Sequence, residues 1–307
     1  MTYKQENNLC TIIFSKNRPL QLSLLLDSFY NQCLQPNSTD VYVIYNYDDE
    51  YEKSYKTLKK EQKDLGRSVN FVNEKLKNKN RPNFSSILLE IILNKKYEFV
   101  MFLVDDNIFT GKFNLSQIKD LIRYNLYLGF SLRLGTNTKY CYSMNSIQKV
   151  PESKVYVSQI ELNFLKELYP TAFAFDWTNA EYDFAYPLEL SSSVYKIDLI
   201  KSVLHTEYKN PNDLEANMYS SLPYFVLYPK LLSYETSVAF CAPMNKVQDT
   251  APNNRFSGIN IYSPRNMLKM HENGFRVDWK KFDGFISNAC HQEVGLYTLE
   301  EFKEYDS

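Results

Sequence analysis

Apolar and polar positions alternate in blocks along the first hundred residues, and the period of the blocks changes from one to the next. Leu9-Cys10-Thr11-Ile12-Ile13-Phe14 is short and rich in β-formers and predicts a first strand. Ser15-Lys16-Asn17-Arg18 is a polar turn. Pro19 suits the first turn of a helix, where the N–H it lacks has no partner, and Leu20, Leu24, Leu25 and Phe29 then recur at helical spacing. Val41-Tyr42-Val43-Ile44-Tyr45 predicts a second strand that ends in Asn46-Tyr47-Asp48-Asp49, ahead of an amphipathic helix from Glu50 to about Lys63. Val69-Asn70-Phe71-Val72 predicts a third strand. Phe84 to Leu93 predicts a buried helix with Ile87, Leu88, Ile91 and Ile92 on its apolar side. Phe99-Val100-Met101-Phe102-Leu103 is apolar throughout, as a strand covered on both faces is, and it runs into Val104-Asp105-Asp106-Asn107.

Strand and helix thus alternate four times, which predicts βαβ units and a mainly parallel sheet. Right-handed crossovers put the carboxyl ends of such strands on one edge. Ser15 to Arg18, Asn46 to Asp49 and Asp105 to Asn107 then gather where ligands bind in open α/β sheets. Leu115, Ile118, Leu121 and Ile122 predict a further helix, and Leu128 to Gly135 a further strand of the same sheet. From Lys139 to Asp176 the pattern predicts no element. Asp176 to Ser193 is aromatic and acidic, Ile197 to Leu204 is helical, and Asn210-Pro211-Asn212-Asp213-Leu214-Glu215 is a turn with a capped helix start. No linker or repeat divides the chain, so one α/β domain with an elaborated C-terminal half is expected.

Composition narrows the class. The 307 residues carry 35 basic and 36 acidic side chains, without the basic excess of a nucleic-acid binder. A 44% hydrophobic content is that of a globular chain. The five cysteines, Cys10, Cys33, Cys141, Cys241 and Cys290, are widely spaced and form no CxxC pair, which argues against a zinc ribbon or a disulfide framework and for reduced thiols. The polar N-terminus has no leader-like core, and no segment reaches the ~20 apolar residues of a membrane span. A cytoplasmic protein is expected, with contact at the inner face of a membrane left open. No glycine-rich phosphate loop follows any strand, so a Rossmann dehydrogenase and a P-loop NTPase are not expected.

Two carboxylates at a strand end suit a hard divalent cation and a phosphate-bearing substrate, and they equally suit a polar turn. The order of motifs resembles the GT-A fold of bacterial, family-2-like nucleotide-sugar glycosyltransferases. Thr11 to Leu20 is similar to their opening strand and turn, Asp48 to the acidic residue after the second strand, and Asp105-Asp106-Asn107 to the DxD motif with Asn in the last place. Phe130 to Gly135, Tyr186-Pro187-Leu188, Asn210 to Glu215, and Val247-Gln248 with Asn254-Arg255 extend the resemblance over most of the chain. It implies a GT-A-like, mainly parallel central sheet flanked by helices. Residues 1–135 would form the nucleotide-sugar half, and residues 136–307 the acceptor-binding half of the same domain. The activity it implies is metal-dependent transfer of a sugar from a nucleotide-sugar to a glycan, lipid-linked glycan or protein acceptor, as in polysaccharide biosynthesis. The implied cofactor is Mn2+ or Mg2+, held by Asp105, Asp106, Asn107 and His291. Donor contacts are implied for Ser15, Arg18, Asp48, Asp105, Arg133 and Arg255, and a carboxylate is implied near Ser191, where this chain has three serines in a row.

The chemistry adds its own candidates. Arg18, Arg133 and Arg255 suit phosphate oxygens, which guanidinium meets in pairs, although surface ion pairing accounts for an arginine equally well. An inverting transfer needs a base for the acceptor hydroxyl. Asp183, Glu189 and Asp176 are the candidates, with Glu181, because the rings around them raise a carboxyl pKa by desolvation. Asp213 and Glu215 are a further option, with Asn212 or Asp213 also suited to a helix cap. Trp177, Tyr182 and Tyr186 suit either an acceptor platform or core packing. His271 reads as a solvated helix face and His205 as a helix end. Two other readings stay open: a nucleotidyltransferase, disfavoured by the lack of glycine in Ser15 to Arg18, and a non-catalytic nucleotide- or glycan-binding domain.

Overall fold

The computed structural model describes residues 7–77, 84–94, 97–123, 127–152, 155–157, 171–248 and 255–305. The first half follows the predicted alternation. Strands β1 (Leu9–Lys16), β2 (Asp40–Asn46), β3 (Val69–Asn73) and β4 (Phe99–Val104) are joined through helices α1 (Pro19–Gln32), α2 (Glu52–Asp64), α3 (Glu74–Lys77) and α4 (Phe84–Asn94). A short β5 (Asn107–Phe109), α5 (Leu115–Arg123) and β6 (Tyr127–Ser131) follow. The later chain adds the ribbon β7 (Tyr140–Cys141) and β8 (Ser146–Ile147), then β9 (Val155–Val157), β10 (Ala172–Asp176) and β11 (Ser193–Lys196). Helices α6 (Ile197–Leu204) and α7 (Pro211–Ser220) precede β12 (Lys230–Tyr234) and β13 (Ala239–Cys241), and α8 (Pro264–Glu272) and α9 (Leu299–Tyr305) complete the described elements.

Among the described residues nine strands form one sheet in the order β3-β2-β1-β4-β11-β6-β12-β10-β9. β1 is parallel to β2 and β4, and β2 to β3. β11 enters antiparallel between β4 and β6, with Ser193 opposite both Phe102 and Ser131. β12 is parallel to β6, and β10 antiparallel to β12. Seven of these nine strands run in one direction, with β10 and β11 reversed, so the sheet is mainly parallel and flanked by helices, as expected; β7 to β10, which lie where no element was expected, the inserted β11, and β12 and β13 are what the sequence does not announce.

Period-two alternation builds a core on each face. Phe99, Met101 and Leu103 of β4 face Leu25 and Phe29 of α1 and Ile118 of α5. Val100 and Phe102 face Leu88 of α4, Ile200 of α6 and Met218 of α7. A third cluster joins Leu20 and Leu24 of α1 to Phe240 of β13 and Met267 and Met270 of α8. No helix among the described residues is long and apolar enough to cross a membrane.

His271 departs from its expected solvated position. It shares the buried face of α8 with Met267, Leu268 and Met270, and neither ring nitrogen has a hydrogen-bond partner. Burial, reinforced by Arg276, pushes its pKa down to about 3. Free histidine titrates at about 6.5, so below that pH the unfolded chain binds a proton that the folded chain refuses, and stability falls with acid by about 1.4 kcal/mol per pH unit. Urea titrations of the wild type and His271→Leu between pH 7 and pH 5 are expected to show the wild type losing ground by that slope. Parallel curves would contradict it.

Candidate functional site

β1 lies between β2 and β4, so the chain leaves it first to one side and later to the other. A crevice opens outside the carboxyl ends of adjacent strands at such a reversal. A cleft of about 950 Å3 occupies this place. Ser15, Lys16, Arg18, Asp105, Asp106 and Arg133 line it from the sheet edge, and Asp183, Tyr186, Glu215, Tyr219, Arg255 and His291 from the C-terminal half.

The turn after β4 is held from several sides. Asp105 donates its N–H to Phe14 O at 3.1 Å, and its Oδ2 accepts from Lys16 N at 3.1 Å. Asn107 Oδ1 accepts from Val104 N at 2.8 Å, and its Nδ2 lies 3.1 Å from Cys241 Sγ. Asn107 is completely buried and closes the turn with both side-chain atoms, so its amide is not offered to the cleft. β5 pairs with β13, and Ala242 N donates to Asp106 O at 2.8 Å. The N–H of Gln292 donates to Cys241 O at 2.9 Å, which ties the segment bearing His291 to the same strand.

Arg18 fills the space between the two carboxylates. Its Nη1 lies 2.9 Å from Asp105 Oδ1 and 3.0 Å from Asp106 Oδ2. Its Nε donates to Asn245 Oδ1 at 2.9 Å and its Nη2 to the Asn245 carbonyl. Burial pushes the Asp105 carboxyl up to about 6; Arg18 pulls it back, and the Asp106 charge adds to the rise. Asp106 is raised by burial as well. Burial opposes the Arg18 charge, but the two carboxylates more than offset it.

A second buried pair lies beside the first. Arg133 Nη2 is 3.2 Å from Glu189 Oε2, and Glu189 also accepts from the Ser191 N–H and the Ser193 hydroxyl. Burial pushes the Glu189 carboxyl up, and Arg133 and Ser193 pull it back. Arg133 Nη1 stands 3.5 Å from His291 Nε2, at the outer limit of a hydrogen bond. Burial and the Arg133 charge push the His291 pKa down to about 3. Its Nε2 therefore accepts, and its Nδ1 is buried without a partner.

These side chains, as arranged, do not fit a resident cation. Asp105 and Asp106 turn to Arg18, the His291 Nε2 turns to a guanidinium, and Asn107 is spent in its turn. Among the described residues no group of three or more His, Cys, Asp or Glu side chains is placed to hold a metal ion.

The other expected residues separate into three positions. Ser15 lines the cleft with its hydroxyl 2.7 Å from Tyr55 OH. Arg255 stands exposed at the cleft wall over the Tyr142 ring, 4.4 Å from its centroid, with Nη1 on Tyr142 O. Asp183 lines the cleft with both oxygens engaged, Oδ1 3.6 Å from Cys141 Sγ and Oδ2 3.2 Å from Gln148 Nε2, and burial raises its pKa against the pull of Arg133. Tyr182 lines the cleft too, strained at φ 50°. Glu189 lies behind the cleft wall. Asp48, exposed at the end of β2, is engaged by Asn17 Nδ2 at 2.7 Å and is not part of the cleft wall. Asp176 caps a surface turn, accepting from Thr178 and Asn179, and Glu181 accepts from Lys149 N at 2.7 Å. Trp177 is core, its Nε1 donating to Tyr228 O at 2.7 Å. Asn210, rather than Asn212 or Asp213, caps α7. Lys16, Asn245 and Tyr219 are cleft residues that the motifs did not single out. Lys16 shares the turn of Arg18, whereas Asn245 and Tyr219 have no local signal.

No family model matches this sequence. The chain is 28% identical over 280 residues to the bifunctional glycosyltransferase pgtA of Dictyostelium discoideum, an alignment that covers 81% of this chain. The chain is a glycosyltransferase homologue. It spans about a third, 33%, of that relative's length. Among solved structures, this glycosyltransferase homologue is similar to S. aureus TarS 1-349 in complex with UDP-GlcNAc, with a TM-score of 0.45, 13% identity, and coverage of 89% of this chain and 69% of that one. It is also similar to the mannosyltransferase PcManGT from Pyrobaculum calidifontis in complex with GDP-Man and Mn2+, with a TM-score of 0.33, 14% identity, and coverage of 45% and 42%. These are loose likenesses of fold, and the geometry of the site stands without them.

Proposed function

We propose that the chain transfers a glycosyl group from a nucleotide-sugar donor to a hydroxyl of a glycan, lipid-linked glycan or protein. The observation that carries the reading is the cleft at the β1–β4 reversal, with Asp105, Asp106 and Arg18 at its centre, in a chain homologous to a glycosyltransferase. The donor's nucleoside lies over the β1–β3 side, against Phe14, Ile44, Asn46 and Glu74. Its diphosphate meets Lys16 and Arg255, and its sugar reaches the carboxylate pair. Residues 1–135 then supply most of the donor side and residues 136–307 the acceptor side. Glycosyl transfer passes through an oxocarbenium-like state while charge builds on the leaving diphosphate, and fixed cations in a partly dry cleft stabilise that charge. All five cysteines are free and buried, and the proposed location is the cytoplasm.

Mn2+ or Mg2+ enters this reading only by displacing Arg18 from the carboxylates. The ion pair also favours a second reading, a non-catalytic domain whose central carboxylates are permanently closed. Thermal unfolding against UDP-, GDP-, CMP- and dTDP-sugars, each with Mn2+ and with EDTA, separates the two. A ligand that binds only the folded state raises the melting temperature by mass action. One nucleotide class is expected to raise it, in EDTA as well as Mn2+, and the shift is expected to vanish in Asp105→Ala. A folded wild type that responds to none of them overturns the donor-site reading.

A further inference from the structure

Among the described residues five carboxylates line the cleft: Glu74, Asp105, Asp106, Asp183 and Glu215. Asp105 and Asp106 are engaged by Arg18. Both oxygens of Asp183 accept from side chains. Glu74 stands at the end of β3, on the donor side, with Oε2 3.2 Å from Asn46 Nδ2. Glu215, like Glu74, is engaged through one oxygen, but it stands on the C-terminal side of the cleft. Its Oε1 accepts from Leu190 N at 3.3 Å, and among the described residues its Oε2 has no hydrogen-bond partner.

The fold places that oxygen usefully. Leu190 leads into β11, the neighbour of β4, and Ser192 N donates to Phe102 O at 2.8 Å. The Leu190 N–H therefore fixes Glu215 beside the strand that ends in Asp105. α7 carries Glu215 and, one turn later, Tyr219, whose ring stacks on Tyr186 with centroids 5.3 Å apart and planes 26° apart. Both rings line the cleft, and Tyr219 is 56% exposed. An aromatic face of this kind suits the C–H face of a pyranose ring. The groups facing Glu215 are Arg133, Glu189 and Tyr186.

We propose that Glu215 is the general base of the transfer and that the Tyr186–Tyr219 stack is the subsite for a pyranose acceptor. The inference rests on the transferase reading above. The Glu215 carboxylate takes the proton of the acceptor hydroxyl as that oxygen forms a bond to the anomeric carbon of the donor. The anomeric carbon–phosphate oxygen bond breaks with its electron pair, which leaves on the nucleoside diphosphate, and the proton passes from Glu215 to solvent. Burial raises the carboxyl above its usual range, with Arg133 opposing, so that it holds a proton more readily than a solvated glutamate does.

The test uses the full chain as wild type, Glu215→Gln, Glu215→Asp and Asp183→Asn. Release of nucleoside diphosphate is followed from the donor panel, with methyl glycosides of glucose, galactose, mannose and N-acetylglucosamine as acceptor probes and with water alone. Glu215→Gln is expected to keep the donor-induced thermal shift and to lose about a hundredfold or more in kcat, with little change in acceptor KM. The rate rise with pH through the base's titration is expected to flatten. Glu215→Asp is expected to recover part of the rate, and it guards against a folding defect in the glutamine variant. An active wild type with Glu215→Gln within a few-fold of it overturns this inference alone, as does a loss confined to Asp183→Asn. A wild type that turns over no donor overturns the transferase reading and this inference with it.

Discussion

Replacing Arg133 with methionine is expected to lower the unfolding free energy by about 3–5 kcal/mol. The side chain is 7% exposed and its partner Glu189 3% exposed. Methionine fills much of the stem volume but leaves a buried carboxylate supported only by the Ser191 N–H and the Ser193 hydroxyl. Two hydrogen bonds do not replace a full countercharge. The loss is expected to appear as a lower urea midpoint at unchanged slope. The double variant Arg133→Met with Glu189→Leu is expected to recover part of it, because no buried charge is left unpaired, although the Ser191 N–H and the Ser193 hydroxyl lose their acceptor. If Arg133→Met is as stable as the wild type, the pair contributes no more than a surface contact.

Arg18→Met is expected to have a comparable effect whose size depends on pH. Without the guanidinium, Asp105 and Asp106 are two buried like charges on adjacent residues, and one of them takes a proton. Where the pH is high enough to ionise both, the cost is about 3 kcal/mol. The folded-state pKa of the pair is then raised further above its unfolded value. Stability is therefore present at low pH and lost as pH rises, and the deficit of the variant shrinks by as much as about 1.4 kcal/mol per unit as pH falls from that raised pKa toward 6, where the wild-type Asp105 takes its proton too. The variant also reports on the cation. With Arg18 gone, two free carboxylates face one space, so Mn2+ is expected to raise the melting temperature of Arg18→Met and to leave the wild type unmoved. Equal stabilisation of both proteins would mean that the guanidinium yields its place readily.

The parts of the fold visible in the sequence are those whose signal is local. β1 to β4 stand out because each is a dense apolar block bounded by polar turns. β11 does not, because Ser193-Val194-Tyr195-Lys196 acquires its central position from β4 and β6 rather than from its own composition. In the site, the strand-end position of Asp105 and Asp106 was legible and the direction of their side chains was not. Asn107 shows why: a residue that locks a turn and one that ligates a metal are the same residue type at the same place. Asp183 and Glu189 were visible as carboxylates near aromatics and Glu215 as a further option, but how the oxygens of each are engaged is decided by Gln148, Ser193 and Leu190, partners that no sequence spacing identifies. His271 was legible in principle, since it lies four residues after Met267 and three after Leu268 on the buried face of α8.

β11 has a consequence for how such proteins diversify. It belongs to the C-terminal half of the chain, yet it sits in the middle of the sheet, hydrogen-bonded to the strand that presents Asp105. A chimera that joins residues 1–135 to the later half of another protein would exchange a central stave of the scaffold along with the proposed acceptor surface. Under the proposed acceptor subsite, new acceptor preferences are then reached most easily by changing α7 and the loops around it, with β11 left in place.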